Sequence, residues 1–465
     1  MIQKIGQKFS DIFQRFMPDA FVFALILTLI TSVIALLWVE ATPVQVINSW
    51  YDGFWILLEF GMQMVLLVIT GYSIALSPMV HRGIDLLAGK IKKPQQVYFL
   101  IVILGALFSL ISWGWVVITA VLGRELALRI KGIHYPFLIA CVYFSSIIWV
   151  SGLSSSIPLL LNTQENFLVK AGVLDDTIST SATLGSSLNL VVLLVFLIIA
   201  PFLMRLLLPK TGDYPTLEGM MESETDQKSV AIHEEARLMK LPYKAFSDFL
   251  NNSRLLQYLI AIPGLIYLFL HFSSKGLDLN LNIMIFLFLM LGLLLHGTPM
   301  RYVIAMKRAS GNISGILFQY PFYAGIMGIM IYTGLGEKLA LWMASIATVE
   351  SIPFFAFLTG AVVNFAIPSA GGEFAVIGPS IITAVQEIGA ALSPEEMEAL
   401  LSRAAMSVAY GESLTNLMQP FFLLLVIPIM GAGIKIQARD IMGYLVIPFI
   451  LFFTVFASLV SFWPM

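Results

Sequence analysis

The chain has 465 residues, of which 58% are hydrophobic and 12% are charged, with a formal net charge of −2 and a mean hydropathy of +0.90. A soluble protein carries about 25% charged residues, so this composition excludes a soluble globular protein, and we expect no nucleic-acid partner. The lipid bilayer is the first expected partner, because long apolar stretches recur along the chain and about 20 such residues cross a bilayer as a helix. The single cysteine, Cys141, excludes a disulfide framework.

Residues 1–18 contain no short apolar region that ends in small residues, so no cleavable signal is expected. Their apolar side chains instead recur at helical spacing, opposite Lys4, Lys8 and Arg15. This pattern predicts an amphipathic helix that lies on the cytoplasmic surface before the first membrane span.

Nine apolar segments have the character of full membrane spans. They are residues 20–38, 54–77, 137–161, 184–208, 255–272, 281–296, 313–334, 402–427 and 440–462. Residues 209–254 carry many charges and no apolar run. We interpret this segment as a cytoplasmic linker, or simply as a connecting loop with no function of its own, and 255–272 as a span that links two halves of the chain.

Two further apolar segments, 97–127 and 354–388, are interrupted in the middle by small and polar residues. Cytoplasmic loops carry an excess of Lys and Arg. The segment 97–127 begins and ends at basic loops, so it is predicted to be a re-entrant hairpin with both ends in the cytoplasm. The segment 354–388 runs between acidic outer loops, which predicts a second hairpin from the opposite face. The same bias places the N-terminus in the cytoplasm and the C-terminus in the periplasm.

The two halves, 1–208 and 281–465, share an order of elements: span, span, hairpin, broken span, span. The broken spans, 137–161 and 402–427, are each interrupted by polar and small residues followed by a proline. The first half crosses four times and the linking span adds a fifth crossing, so the second half is inverted. The predicted fold class is therefore all-α: a polytopic integral membrane protein with two inverted repeats, two re-entrant helical hairpins and two broken transmembrane helices, as in secondary transporters.

Irregular backbone persists at membrane depth only where protein or a water-filled cavity covers it. The two hairpin tips and the two helix breaks are therefore the predicted binding site. Half-helix N-termini attract an anion there, whereas free carbonyls and hydroxyls suit a small cation. The candidate substrate-binding residues are Ser112, Ser154, Ser155, Ser156, Asn364, Ser369, Gly371, Gly372, Thr415, Asn416 and Gln419.

Glu373 and Glu412 are the carboxylates set deepest in apolar surroundings, where a charge costs ~2.5–3.5 kcal/mol on an isolated helix. We interpret them, with Tyr410 and Ser413, as ligands of a coupling ion, Na⁺ or H⁺, with a Na⁺ site at the tips and breaks. A structural hydrogen bond at the helix break is the alternative. No other cofactor is expected: the chain lacks a phosphate-binding Gly-x-x-x-x-Gly-Lys loop, a His-Glu-x-x-His motif and the nucleophile–base pair of an enzyme.

Several longer motifs resemble those of the bacterial short-chain fatty acid transporters. They are Asp-Gly-Phe-Trp at 52–55, Phe-Gly-Met-Gln-Met at 60–64, Asn-Phe-Ala-Ile-Pro-Ser-Ala-Gly-Gly at 364–372, Ala-Tyr-Gly-Glu at 409–412, Gln-Pro-Phe at 419–421 and Asp-Ile-Met-Gly-Tyr at 440–444. The resemblance implies inner-membrane uptake of small monocarboxylates such as acetoacetate or butyrate. It also implies membership of the ion transporter superfamily, whose members form dimers and move a transport domain against a scaffold by an elevator mechanism.

The tips depart from the Ser-Asn-Thr type that is common in that superfamily, with Ser-Trp-Gly at 112–114 and Pro-Ser-Ala-Gly-Gly at 368–372. This leaves the coupling ion and the number of substrate carboxylates open, although the lack of a basic residue at the site favours a monocarboxylate. The expected function is cation-coupled symport of short-chain fatty acids by a homodimer. The alternatives are a transporter of another small organic anion and a passive monocarboxylate channel; a membrane-embedded enzyme or receptor is disfavoured.

Overall fold

The structure is a computed structural model. It describes residues 8–9, 11–12, 14–163, 166–170, 172–209, 215–221, 231–243, 245–276 and 281–464. Among these residues there are helices and no β-strand, and one isolated bridge joins Met221 to Ile434. The all-helical class that the sequence predicts is thereby confirmed. Of the amphipathic helix expected at 1–18, residues 1–7, 10 and 13 lie outside the described residues, and 8–9, 11–12 and 14–16 are helical.

Helices α1 to α9 form the first half of the chain. Their bounds are α1 Ala20–Trp38, α2 Pro43–Gly53, α3 Leu58–Ala75, α4 Pro78–Ala88, α5 Gln95–Ile111, α6 Val116–Arg129, α7 Tyr135–Ser146, α8 Ser156–Leu161 and α9 Ser187–Leu207. A 3-10 turn, Trp113–Trp115, joins α5 to α6, and another, Ile147–Ser151, extends α7. Single-turn helices, Phe167–Lys170 and Thr180–Thr183, lie between α8 and α9.

The linker and the second half continue the helical fold. In the linker the short helices are Leu217–Met220, Ile232–Leu238 and Phe246–Asn251. The second half has α10 Arg254–Lys275, α11 Leu281–His296, α12 Pro299–Ala309, α13 Ser314–Tyr332, α14 Leu335–Ser345, α15 Ile352–Val363, α16 Ala370–Ile388, α17 Pro394–Thr415, α18 Leu423–Met430 and α19 Val446–Phe462. Single turns at Asn416–Met418 and Arg439–Leu445 extend α17 and precede α19.

Several helix bounds differ from those predicted from hydropathy. The amphipathic helices α2, α4 and α12 have 11 residues each and occupy segments predicted as loops. Each begins with a proline behind Ser or Thr, a helix-start signal that a search for long apolar stretches does not detect. The predicted span at 54–77 begins as a helix only at Leu58. The broken span at 402–427 begins earlier, at Pro394, because Ser393 and Glu396 form a capping box.

By length and composition alone, five helical runs in the described part of the chain can cross a membrane, or up to seven if each bent pair of helices counts as one span. The pair of α17 and α18 bends by 46° at its break. The run 135–161 is 89% buried inside the protein, whereas the run 20–38 is only 22% buried. The interrupted helices therefore lie at the centre of a multi-pass membrane protein, and α1 lies at its lipid-facing edge.

The helices pack as two groups. The hairpin group consists of the two hairpins, α5–α6 and α15–α16, the two interrupted helices, α7–α8 and α17–α18, and α9 and α19. The framework group consists of α1–α3 and α10–α13, in which α13 packs on α1 and α2, and α3 packs on α11 and α12. Helices α4 and α14 contact the second arms of the hairpins, α6 and α16.

Inside the hairpin group the two halves of the chain exchange partners. The first arm of each hairpin packs on the interrupted helix of its own half, α5 on α7 and α15 on α17. The second arm packs on the same interrupted helix and also on the short helix after the break of the other half, α6 on α18 and α16 on α8. The contact of α15 with α17 is close because Gly411 has no side chain: a Cβ there would lie 2.0 Å from the carbonyl oxygen of Phe357.

Candidate substrate and ion site

The first hairpin tip bonds directly to the first helix break. The N–H of Trp113 donates to Ser154 Oγ at 2.8 Å, and the N–H of Leu153 donates to the carbonyl of Leu110 at 2.7 Å. Gly152 permits this approach, because a Cβ there would lie 2.3 Å from the carbonyl oxygen of Leu110. The first tip and the first break therefore form one unit, held largely by main-chain groups.

Amide side chains join the second tip to the second break. Asn364, at the end of α15, donates through Nδ2 to Thr415 Oγ1 at 2.9 Å and to Asn416 Oδ1 at 3.1 Å. Gln419, in the break, donates to the carbonyl of Asn364 at 3.0 Å and to Asn416 Oδ1 at 2.9 Å. Gln419 is extended, with φ −133° and ψ 151°, as expected before Pro420. This network is fully buried and fixes where the helix stops.

Contacts between the two halves bring both tip–break pairs to one place. The hydroxyl of Tyr143 on α7 donates to the carbonyl of Asn416 at 2.6 Å. A Cβ built at Gly371, in the first turn of α16, would lie 3.8 Å from Ser156 Cβ at the start of α8. A Cβ at Gly372 would lie 2.8 Å from Met327 Cε on α13 of the framework group. The start of α16 therefore faces both the first break and the framework.

Two buried carboxylates belong to the second tip–break pair. Glu412 Oε1 accepts a hydrogen bond from Asn416 Nδ2 at 3.3 Å, and its Oε2 has no hydrogen-bond partner among the described residues. Glu373 lies in the first turn of α16, and neither of its carboxylate oxygens accepts a hydrogen bond from a described residue. Both side chains have 0% exposure, and their negative charges would repel each other. A buried carboxylate in this state is costly unless a proton or a cation neutralises it.

The free oxygens around these carboxylates suit a small cation. Asn364 Oδ1 and Gln419 Oε1 are buried, and neither accepts a hydrogen bond from a described residue. These amide oxygens and the free oxygens of Glu373 and Glu412 accept no hydrogen bond from a described residue. Carboxylate and carbonyl oxygens of this kind are the ligands that a hard cation prefers. No three His, Cys, Asp or Glu side chains in the described ranges gather as they would around a metal ion. A cation here would therefore rely on amide and carboxylate oxygens.

Hydroxyl groups occur at the first tip, at the first break and at the start of α16. Ser155 is 1% exposed and its Oγ has no partner in the described chain, while Ser112 is 2% exposed. Ser369 precedes α16, and Ser156 begins α8. The first N–H groups of a helix have no partner inside it, which makes the start of the 19-residue α16 suited to a carboxylate.

Tyr410 and Ser413, predicted as ligands of the coupling ion, make other contacts. The Tyr410 hydroxyl donates to Asn189 Oδ1 at 2.9 Å, and Ser413 Oγ donates to the carbonyl of Tyr410 at 3.2 Å. Asn189, on α9, is 1% exposed and donates in turn to the carbonyl of Ser151 at 3.2 Å. It joins the two interrupted helices behind the site. Asn189 was not predicted as part of the site, because a single asparagine in an apolar span does not indicate which residue it contacts.

Aromatic rings that were not predicted as part of the site form a wall beside the tips. The Trp113 ring lies 5.2 Å from that of Phe422. Phe421 stacks on Tyr320 of α13, with ring centres 4.4 Å apart and planes at 14°, and lies 5.0 Å from Tyr323. The second break therefore contacts the framework group through stacked rings.

Comparison with known proteins identifies the chain's relatives. The family model described as "Short chain fatty acid transporter" matches residues 1–463. Two curated relatives carry the name "Putative short-chain fatty acid transporter". The protein of Escherichia coli (strain K12) is 36% identical over 447 residues, and that of Haemophilus influenzae (strain ATCC 51907 / DSM 11121 / KW20 / Rd) is 33% identical over 449 residues. Each alignment covers 96% of this chain and 96% of the relative.

Two solved structures are more distant. MtrF of Neisseria gonorrhoeae, described as illuminating a class of antimetabolite efflux pumps, has a TM-score of 0.40 and 16% identity, over 96% of this chain and 95% of its own. The YdaH transporter of Alcanivorax borkumensis has a TM-score of 0.40 and 16% identity, over 95% and 97%. At that TM-score the likeness is too distant to decide any detail of this chain.

Proposed function

Because the chain belongs to the short-chain fatty acid transporter family, as a transporter and not an enzyme, we propose that it carries small monocarboxylates, such as acetoacetate or butyrate, together with a cation across the bacterial inner membrane. The cation is Na⁺ or H⁺. One observation supports this proposal: the second tip–break pair has free oxygens on Glu373, Glu412, Asn364 and Gln419, and it contacts the first pair through Tyr143 and the start of α16.

The substrate carboxylate would lie between the start of α16 and the serines of the first tip and break. The N–H groups of a helix start and the hydroxyls of Ser112 and Ser155 offer hydrogen bonds to it. No Lys or Arg occurs in the chain at 110–116, 147–158, 364–374 or 410–423. A single carboxylate can be held by dipoles alone, which supports a monocarboxylate. The aromatic wall would contact its short acyl chain.

The coupling cation would bind at the second tip–break pair. Glu373 and Glu412 supply negative charge, and the amide oxygens of Asn364 and Gln419 supply neutral ligands. A bound cation next to the substrate anion cancels charge, so the loaded site crosses the low-dielectric interior at lower cost than either ion alone. This gives a physical reason for coupled movement of the two ligands.

We propose that the halves are inverted repeats and that the hairpin group moves as an elevator against the framework group. Support comes from the exchange of partners described above, since α6 packs on α18 as α16 packs on α8. The Lys/Arg bias supports a cytoplasmic N-terminus and a periplasmic C-terminus. The family resemblance alone supports a homodimer.

The test is transport by the purified protein in liposomes. Labelled butyrate and acetoacetate uptake is measured under an imposed Na⁺ gradient and then under an H⁺ gradient. We expect accumulation above equilibrium with one gradient and not with the other, which names the ion. Equilibration without accumulation would replace symport by passive transport. No uptake by folded protein would refute the proposed substrates.

A further inference from the structure

A cavity of about 720 Å³ lies at the base of the first hairpin. Its wall includes the end of α6, the facing ends of α3 and α11, the start of α12, and linker residues 216–218 and 231–233. None of the predicted site residues lines it. Arg124, the α6 residue of the wall that is nearest the first tip, lies eight residues beyond the start of that helix, or roughly 12 Å at 1.5 Å per residue. The cavity is therefore distinct from the candidate transport site.

Basic side chains dominate the cavity wall. They are Arg124, Arg129, Lys131, Arg301 and Arg308, against the acidic Glu125 and Glu218. Arg129 forms ion pairs with Asp85 and with Glu125, each at 2.5 Å, and Arg308 forms one with Glu235. Lys131 and Arg301 have no ion-pair or hydrogen-bond partner within the described residues. Within the described part of the chain, the wall therefore has two cationic side chains, Lys131 and Arg301, that no acidic side chain pairs with.

The linker borders the cavity and is docked on the rest of the protein. The carbonyl of Pro215 accepts the N–H of Tyr135 at 2.9 Å, Leu217 is 2% exposed, and Met221 bridges to Ile434. A general excess of Lys and Arg on the cytoplasmic face accounts for basic loops in contact with water. Lys131 is exposed, but Arg124 is buried and Arg129, Arg301 and Arg308 are half-buried, so the rule does not account for a cavity that these side chains line together with a docked linker.

We propose that this cavity binds a small anion with two or more negative charges, carried by phosphate groups. Its volume lies in the range of about 300–1,000 Å³ typical of small-molecule sites. Arg and Lys are the residues that bind phosphate. The anion is either a soluble phosphate compound or the phosphate of a lipid headgroup, for which basic pockets between membrane helices are known sites.

The bound anion joins parts of the chain that belong to different groups. Lys131 follows α6 of the hairpin group, and Arg301 lies on α12 of the framework group. An anion held by both side chains fastens the two groups to each other. On the proposed function, in which these groups move past each other, the anion slows transport from the cytoplasmic side. The binding itself does not depend on that function.

The test measures binding of inorganic pyrophosphate to the purified full-length protein in detergent, by calorimetry at constant ionic strength. The cavity variant, Lys131→Gln with Arg301→Gln, removes the two unpaired positive charges. The control variant, Lys92→Gln with Arg205→Gln, also removes one lysine and one arginine, but outside the cavity. We expect the Kd to rise at least about tenfold, or roughly 1.4 kcal/mol, in the cavity variant and to stay unchanged in the control. Arg301→Lys, which keeps the charge, should retain binding if the first variant fails to fold.

Equal pyrophosphate binding by the cavity variant and the control would overturn the site. If pyrophosphate does not bind, retention of phosphatidylglycerol after detergent exchange is measured by lipid mass spectrometry. Loss of retention in the cavity variant alone assigns the site to a headgroup, and no retention by any variant overturns it. Butyrate binding as tight as that of pyrophosphate would also overturn it, because the cavity would then belong to the substrate path. These measurements need no transport, so they fail independently of the proposed function.

Discussion

The two tip–break pairs have the same arrangement of helices and different chemistry. The first pair is held largely by main-chain groups and has no carboxylate. The second is held by the amide side chains of Asn364, Asn416 and Gln419, and it contains the buried Glu373 and Glu412. A shared helix arrangement therefore does not fix which ligand each half contacts. Under the proposed function, the second pair binds the cation, and the first pair contributes to the substrate side.

The largest effect should come from the charge of the second pair. Glu412→Gln keeps the hydrogen bond to Asn416 within reach and removes the negative charge. Because that charge is proposed to hold the cation, gradient-driven uptake should fall at least about 100-fold, or ~2.7 kcal/mol. The control is Glu398→Gln on the same helix, where the side chain is exposed. Similar accumulation of butyrate by the two variants would exclude Glu412 from coupling.

Gly152→Ala tests the main-chain contact of the first pair. The added Cβ meets the carbonyl oxygen of Leu110 at 2.3 Å, so the tip and the break must separate, at about 1–3 kcal/mol for such overpacking. We expect a lower unfolding temperature and weaker substrate binding, with the cation concentration for half-maximal uptake unchanged. Gly83→Ala is the control, because nothing lies within 4 Å of its Cβ. A change in the cation concentration for half-maximal uptake, with substrate binding unchanged, would show that the first pair contributes to the cation site and not to the substrate site.

Asn364→Ala removes the donor that joins the second tip to its break. It leaves Thr415 and Asn416 with fewer partners, at about 1–3 kcal/mol for buried groups. The concentration of cation at half-maximal uptake should rise, and thermal unfolding should shift downward. Asn162→Ala changes an exposed asparagine and serves as control. Unaltered cation dependence with normal uptake would remove Asn364 from the ion site.

The smallest effect is expected at Tyr410. Its hydroxyl contacts Asn189, away from the free oxygens. Tyr410→Phe should therefore lower stability by about 1 kcal/mol and leave the half-maximal cation concentration unchanged. Tyr332→Phe, at a side chain that is 50% exposed, is the matched control. A shift in cation dependence would return Tyr410 to the role of an ion ligand that its position in the sequence predicts.

Much of the candidate site could be predicted because polar residues stand out in apolar segments. Asn364, Thr415, Asn416 and Gln419 are such residues, and the structure places them in one network. The signal says that a residue needs a partner and does not say which one. Asn189 shows this limit: its partner Tyr410 lies 221 residues away, and local sequence contains no information about such a pairing.

The fold shows the same division between local and distant signals. Charge bias at the segment ends indicated the hairpins, because it reflects the face on which a chain segment begins and ends. Which helix covers each hairpin arm was not available from any local pattern. The packing of α6 on α18 depends on side-chain fit between segments about 300 positions apart.

The buried guanidinium of Arg124 sets an order of events during synthesis. Its donors are satisfied by the carbonyls of Met430 and Ala432, at 2.8 and 2.7 Å, which follow it by 306 and 308 residues. At 5–20 residues per second, the ribosome delivers these acceptors roughly 15–60 s after Arg124. Until then, the guanidinium of Arg124 lacks the two carbonyl acceptors that it has in the folded protein. The first hairpin therefore acquires its final hydrogen bonds only after the second interrupted helix has been synthesised.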